Sequence, residues 1–255
     1  MTNVTITYRP FLFPFAFKFK REVPAGWSEV GENLMLVVTK YYNRKASEDA
    51  LICELFGIKK WIVKRLAGYY KYKLFELFLF IKELNATRDF VIKEIGELRS
   101  PKSGLKGLPF GHFIYGDTFF SDYMRDGGEE NLNRFIAAFY GGKDFDEDNL
   151  DALLDEIKKT CLEKREAVAV NYIMVKKWIT EKYKYVFRKP EVEDEKDKKV
   201  PAILRKQKVI GGWVNIFDAM VGDDIVNREK YLELPVNEAL RYLDNRIRKN
   251  MINGH

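Results

Sequence analysis

Residues 58–84, IKKWIVKRLAGYYKYKLFELFLFIKEL, carry the strongest helical pattern in this chain. Apolar and aromatic side chains recur at spacings of three and four residues, which is the period of one face of an α-helix. Lysines and arginines occupy most of the positions between them. The pattern predicts a core helix whose apolar face, including Trp61, Tyr69 and Tyr70, is buried and whose lysines extend to solvent. Gly68 weakens the middle of this helix and indicates a kink or a close contact.

Helical spacing also covers most of the remaining sequence. Ser28 and Ser47 are placed as N-caps of two helices, and Gly57 follows the second as a C-terminal stop. Further helices are predicted at residues 117–126, 129–140, 144–156, 163–187, 203–221 and 235–250. The expected fold class is therefore mainly α with a small N-terminal β element, an α+β multi-helix globular domain.

The N-terminal segment has the period of a strand. Phenylalanine stands at every second position, at Phe11, Phe13, Phe15, Phe17 and Phe19. Successive side chains of a strand point to opposite faces, so this spacing predicts an aromatic face and a small or basic face. Pro14 lacks a backbone N–H, which favours an edge strand within residues 3–20. Residues 88–95 are a second candidate strand.

Composition shifts divide the sequence into four parts. The expected division is an N-terminal β element at 1–22, a main helical domain at 23–187, a charged flexible loop at 188–202 and a C-terminal helical pair at 203–255 that packs on the main domain. The main domain includes a loop rich in glycine and proline at 96–116. The charged loop contains EVEDEKDKK, whose composition is typical of exposed chain.

The charge distribution argues against nucleic-acid binding. The 255 residues contain 44 Lys and Arg against 38 Asp and Glu, and both signs are interspersed rather than gathered in one stripe. No apolar run approaches the length of a membrane span, so no membrane partner is expected, and the protein is placed in the cytoplasm of the cell that makes it. Cys53 and Cys161 are expected to be buried free thiols, although the sequence leaves a disulfide open.

The residues that catalysis, metals and cofactors need are sparse. His112 and His255 are the only two histidines, which leaves no basis for a catalytic triad or a histidine metal site. Asp144, Asp146 and Asp148 have the spacing of a calcium loop, but Asn149 stands where such a loop needs glycine. We expect these acids to stabilise a helix start. No phosphate-binding glycine motif is present, and we expect a non-enzymatic protein with no cofactor.

An alternative interpretation is a basic DNA-associated protein that uses a helix-turn-helix-like segment at 47–73. Residues 47–56, Gly57 and the helix from Lys59 onward have the order of a helix-turn-helix. The residues that would contact DNA are Lys59, Lys60, Lys64 and Arg65. The second helix is too long and too apolar on several sides to be mostly exposed, which argues against this role.

Three segments together resemble a family of poorly characterised tailed-phage and prophage proteins from gut bacteria, encoded in the structural and tail-assembly gene region. They are residues 23–37 (VPAGWSEVGENLMLV), 116–140 (GDTFFSDYMRDGGEENLNRFIAAFY) and 213–243 (WVNIFDAMVGDDIVNREKYLELPVNEALRYL). Gly141-Gly142 departs from the family, where a basic residue and proline follow the helix. The resemblance implies an accessory, chaperone-like role in virion or tail assembly. Its motifs carry no catalytic residue.

Protein–protein contact is the function that these observations favour. The residues expected to bind a partner are Phe11, Phe13, Phe15, Ala16, Phe17, Lys18 and Trp27. The expected partners are other phage structural or tail proteins, and self-association and a place in the virion are left open.

Overall fold

The computed structural model describes residues 2–8, 17–146, 148–188 and 212–253, and it confirms the predicted fold class. The fold is 67% helical and carries a small antiparallel sheet at the N-terminus. The chain divides into two compact units, residues 1–87 and 88–255. The division falls inside the span 23–187 that was expected to form one helical domain.

The first unit begins with a β-hairpin. Strands β1 (Thr2–Tyr8) and β2 (Phe17–Val23) pair antiparallel, in a register from Thr2↔Val23 to Tyr8↔Phe17. Val23 is buried at the end of β2. Residues 9–16 lie outside the described residues, so the predicted alternation of Phe11, Phe13 and Phe15 is not described there.

Five helices follow the hairpin. They are α1 (Glu32–Tyr42), α2 (Glu48–Phe56), α3 (Lys60–Arg65), α4 (Gly68–Glu76) and α5 (Leu79–Lys82). The single long helix predicted for 58–84 is therefore wrong. Leu66 and Ala67 have extended backbone, with ψ of 133° and 148°, and this breaks the helix before Gly68. A second break at Phe78, with φ of −124°, separates α4 from α5.

The predicted helix boundaries hold at both ends of α2 and fail at the start of α1. Gly57 adopts φ of 58° after α2, the left-handed conformation that glycine tolerates best, as predicted. Ser47 lies at the N-cap of α2, although its side chain makes no capping hydrogen bond. The N-cap of α1 is Gly31 rather than Ser28, because a 3-10 turn occupies Trp27–Glu29.

Among its described residues, the second unit contains a two-residue ladder and seven α-helices. The elements are β3 (Glu94–Ile95), β4 (Leu98–Arg99), α6 (Phe110–Asp126), α7 (Glu129–Tyr140), α8 (Leu150–Lys158), α9 (Leu162–Lys182), α10 (Gly212–Val221), α11 (Arg228–Glu233) and α12 (Val236–Asn253). Only residues 94–95 of the predicted strand at 88–95 pair, and α7 occupies its predicted span. The predicted helix at 203–221 is described only from Gly212 onward.

Helix α6 begins seven residues before its predicted start and takes up the end of the predicted 96–116 loop. Gly116 explains the difference. A Cβ at this position would lie 2.3 Å from Cε2 of Phe139, so the glycine permits close packing of α6 against α7 rather than a turn. Phe139 also contacts Phe135 and Tyr172 in the aromatic core of this unit.

Candidate functional site

Trp27 is a core residue of the first unit. Only 7% of its side chain is exposed, and its indole N–H donates to the carbonyls of Phe80 at 3.0 Å and Glu83 at 3.1 Å. Its ring meets that of Phe80 edge-on. The apolar area of Trp27 and its donor are both used inside the unit, which argues against the expected partner contact.

The hairpin places the other described members of the expected partner-binding set. Phe17 is paired with Tyr8 and Lys18 with Thr7 in the ladder, and the Lys18 side chain is exposed. Phe11, Phe13, Phe15 and Ala16 lie outside the described residues. The side chain of Arg21 fixes β2 to α2 by donating to the Phe56 carbonyl at 2.9 Å.

The four candidate DNA-contacting cations are all exposed at α3. Lys59 precedes the helix, and Lys60, Lys64 and Arg65 lie within it. The helix has only six residues, so it is about 9 Å long at the rise of an α-helix. The sequence argument that the second helix was too long for exposure no longer applies. The shortness of α3 is what argues against a groove-reading helix.

Four aromatic side chains beside these cations are exposed. The exposed fractions are 51% for Trp61, 65% for Tyr69, 61% for Tyr70 and 60% for Tyr72. The prediction that Trp61, Tyr69 and Tyr70 lie on a buried face is wrong. Both α3 and α4 contact α2, and the side chains that they bury are Ile62, Val63, Leu74 and Phe75. The break at Leu66 and Ala67 lets each short helix orient independently, which leaves the rings outside.

We call this set the basic aromatic surface. It comprises Lys59, Lys60, Trp61, Lys64, Arg65, Tyr69, Tyr70, Tyr72 and Lys73. The Arg65 guanidinium lies 5.5 Å from the centre of the Trp61 ring, and the Lys73 ammonium lies 5.9 Å from that of Tyr69. Such cation–π contacts hold rings and cations together at a surface.

Two lysines near α4 are paired with carboxylates. Lys71 lies 2.9 Å from Asp49, and Lys73 lies 2.9 Å from Glu76. The hydrogen bond between Lys73 and Glu76 raises the pKa of the lysine and lowers that of the carboxyl group. Within the described part of the chain, Lys59, Lys60, Lys64 and Arg65 have no carboxylate partner.

The second unit contains a buried polar cluster that the sequence analysis missed. Asp117, which is 1% exposed, accepts hydrogen bonds from the Tyr172 hydroxyl and the Trp213 indole, each at 2.8 Å. The Lys176 ammonium lies 2.7 Å from the same carboxylate. Burial, together with the neighbouring Asp117 charge, raises the pKa of Tyr172 well above its ordinary value. The sequence signal that could have indicated this cluster is an acidic residue, Asp117, within a helical segment rich in aromatic residues.

This cluster is a structural element of the core. Its members join α6, α9 and α10, and all four residues are buried. Tyr172 and Lys176 contact one carboxylate oxygen and Trp213 donates to the other, so both oxygens have partners within the fold. The arrangement stabilises the packing of three helices and presents no group to a substrate.

Of the three acids predicted to stabilise a helix start, Asp146 makes such a contact, whereas Asp144 ends a 3-10 turn at Gly142–Asp144. Asp146 accepts a hydrogen bond from the backbone N–H of Asn149 at 2.8 Å, immediately before α8. Among the residues that the structure describes, no three His, Cys, Asp or Glu side chains are placed to hold a metal ion.

A groove of about 400 Å³ lies in the second unit. Lys182, Tyr183, Asn237, Glu238, Arg241, Asp244 and Asn245 line it. Lys182 and Tyr183 both donate to Asn237, and Asp244 accepts two backbone N–H groups. These bonds use the side chains within the fold, and the groove shows no distinctive chemistry for a cofactor.

The two cysteines are free, so the disulfide left open by the sequence is absent between them. Cys53 is half-buried, and burial raises the pKa of its thiol. Cys161 is exposed at the N-cap of α9, which corrects the expectation that both thiols are buried.

None of the described helices combines the length and the apolar character that crossing a bilayer requires. Comparison with known proteins yields no matching family model, no matching curated protein and no matching solved structure.

Proposed function

We propose that this protein is a non-enzymatic accessory protein of phage or prophage virion or tail assembly, and that it acts by binding other proteins. The observation that carries the proposal is the basic aromatic surface. Trp, Tyr and Arg are the residues most enriched among those that dominate binding energy at protein interfaces. Trp61, Arg65 and the three tyrosines of α4 supply this composition on exposed helices.

The segments that carry the family resemblance support the same proposal. Residues 116–140 form most of α6 and all of α7, and residue 213 supplies the indole that binds Asp117. Residues 116–140 and 213–243 contribute to the core of the second unit, residues 23–37 belong to the first unit, and none of the three carries a reaction centre among its described residues. A role in assembly needs a stable scaffold and a contact surface. We assign the first to the buried segments and the second to the basic aromatic surface.

The hairpin is a second place for protein contact. A two-stranded sheet leaves backbone groups on its outer edges, and an added strand from a partner can pair with them. Lys18 is exposed on β2. Replacing Ala16 and Lys18 with proline removes two backbone donors from this segment, so it is expected to abolish binding that depends on strand addition while leaving the helical content intact.

The experiment is co-expression with the products of the neighbouring structural and tail genes, followed by size-exclusion chromatography of each pair. We expect one of these products to co-elute with this chain. Tyr70→Ala should weaken that complex, whereas Tyr242→Ala, which truncates another half-exposed tyrosine, should leave it unchanged. Co-elution with none of the neighbouring products would refute the proposal.

Nucleic-acid binding is the second candidate, and the four unpaired cations at α3 are the observation that favours it. Retention on immobilised DNA that falls steeply with salt would support this candidate, because phosphate contacts release counterions. Equal retention of wild type and of the variant Lys60→Glu/Lys64→Glu would exclude α3 as the site.

A further inference from the structure

We infer that the basic aromatic surface docks an acidic segment of a partner protein. The inference rests on the proposed function, because it specifies the chemistry of the protein that binds. Residues 58–75 contain six Lys and Arg and no Asp or Glu. Lys71 and Lys73 are neutralised by Asp49 and Glu76, and the other four cations are not paired.

The unpaired cations and the exposed rings lie on the same two short helices. Lys60, Lys64 and Arg65 are on α3 with Trp61, and the three tyrosines are on α4. Carboxylates of a partner would neutralise the positive charge at α3, and apolar side chains between those carboxylates would cover the exposed rings. Complementary charge of this kind steers association and fixes register, while buried rings supply affinity.

The ring geometry favours protein over single-stranded nucleic acid. Stacking of bases needs flat ring faces that are open. Arg65 lies over Trp61, Lys73 lies over Tyr69, and the Tyr69 and Tyr70 rings meet edge-on at 71°. Leu77 and Leu79 are also about half-exposed at the end of α4 and the start of α5, and these add an aliphatic contact area that bases do not use.

The same helices are poorly suited to a membrane surface. A helix that lies on a bilayer places its apolar face in the lipid. The apolar residues of α3 and α4, namely Ile62, Val63, Leu74 and Phe75, are buried inside the unit. The exposed side chains of these helices are mainly lysines and tyrosines, with Trp61, and they form no continuous aliphatic face for lipid.

The test is fluorescence anisotropy with a labelled peptide in which glutamate alternates with leucine. We expect Lys60→Glu/Lys64→Glu and Tyr69→Ala/Tyr72→Ala each to weaken binding by about tenfold or more, as loss of interface hot spots does. The matched control is Lys102→Glu/Lys106→Glu, which makes the same charge change at two other exposed lysines and should leave affinity within about threefold. Circular dichroism of each variant checks that the fold is retained.

Two parallel titrations cover the other ligand classes, one with oligothymidylate and one with phosphatidylglycerol vesicles. Tighter binding of either than of the peptide, lost in the same variants, would overturn the inference in favour of nucleic acid or membrane. Binding to none of the three probes would also overturn it, as would equal loss in the control. If a co-expressed phage protein binds but Lys60→Glu/Lys64→Glu leaves that complex intact, the proposed function stands and this inference fails.

Discussion

The indole N–H of Trp213 donates a hydrogen bond of 2.8 Å to the carboxylate of Asp117, a residue 96 positions earlier in the chain. The same carboxylate is paired with Lys176. A buried charge needs a partner of opposite charge, because an unpaired buried ion carries a large desolvation cost. The packing of α6, α9 and α10 is therefore sensitive to any change at position 117.

Replacing Asp117 with Asn should lower the free energy of unfolding by about 3–5 kcal/mol, because it leaves the Lys176 ammonium buried without a counter-charge. Urea unfolding followed by circular dichroism measures the change. Asp122→Asn is the control, because it disrupts a partly exposed pair with Arg125 and should cost less than about 1 kcal/mol. Adding Lys176→Met to Asp117→Asn should restore part of the loss, and a double variant no more stable than the single one would contradict this account.

His112 should make stability fall in mild acid. Burial lowers the pKa of its imidazole, and Nδ1 has no hydrogen-bond partner among the described residues. Below about pH 6.5, the ordinary histidine pKa, the unfolded chain gains a proton that the folded chain takes up only at lower pH. The free energy of unfolding should therefore be highest above this pH and decrease as pH falls below it. Replacing His112 with Phe should flatten urea midpoints measured between about pH 7 and pH 5.5, and an unchanged slope would count against the prediction.

Replacing Gly116 with Ala should destabilise the second unit by about 1–3 kcal/mol, since the new methyl group would overlap the ring of Phe139. The control is Gly68→Ala in α4, where no atom lies within 4 Å of the added Cβ. That change should be neutral or stabilising by up to about 1 kcal/mol because alanine favours helix. Thermal unfolding of the two variants provides the comparison, and equal shifts would mean that Gly116 is not a close-packing position.

Replacing Trp27 with Phe should cost about 1–3 kcal/mol, because the carbonyls of Phe80 and Glu83 lose their shared donor. Trp178→Phe is the comparison, since Trp178 is half-buried, contacts Arg88 and Lys182 through its ring and has no indole hydrogen bond within the described residues. Partner binding should be unchanged in Trp27→Phe, as measured by the same co-elution experiment as above. Loss of binding in a variant that remains folded would restore Trp27 to the contact surface.

The sequence was sufficient to predict a helix where the spacing of apolar residues and the residues at the helix ends indicated the same span. The span 129–140 has acidic residues in its first turn and a regular apolar face, and α7 occupies it as predicted. Gly57 likewise ended α2, because its left-handed conformation is a local property. Period-two spacing predicted extended chain within residues 3–20, but it did not predict that Thr2–Tyr8 and Phe17–Val23 pair as a hairpin.

The failures depend on contacts that are distant in sequence. Gly116 was interpreted as part of a loop, but its role is set by Phe139 on the next helix. Asp117 has partners 55, 59 and 96 residues away, and no local spacing indicates them. The rings of Trp61 and Tyr69 were placed in the core because they are apolar, whereas extended backbone at Leu66 and Ala67 turned the two helices separately.

The break between α3 and α4 at Leu66 and Ala67 has an evolutionary consequence. Along α3 and α4, the residues that hold the unit together and the residues that face outward alternate within a few positions of one another. Substitutions at Trp61, Lys64 or Tyr72 leave the space filled by Ile62, Val63 and Phe75 occupied. Under the proposed function, the binding surface would therefore change through outward positions alone, while the core is under a separate constraint.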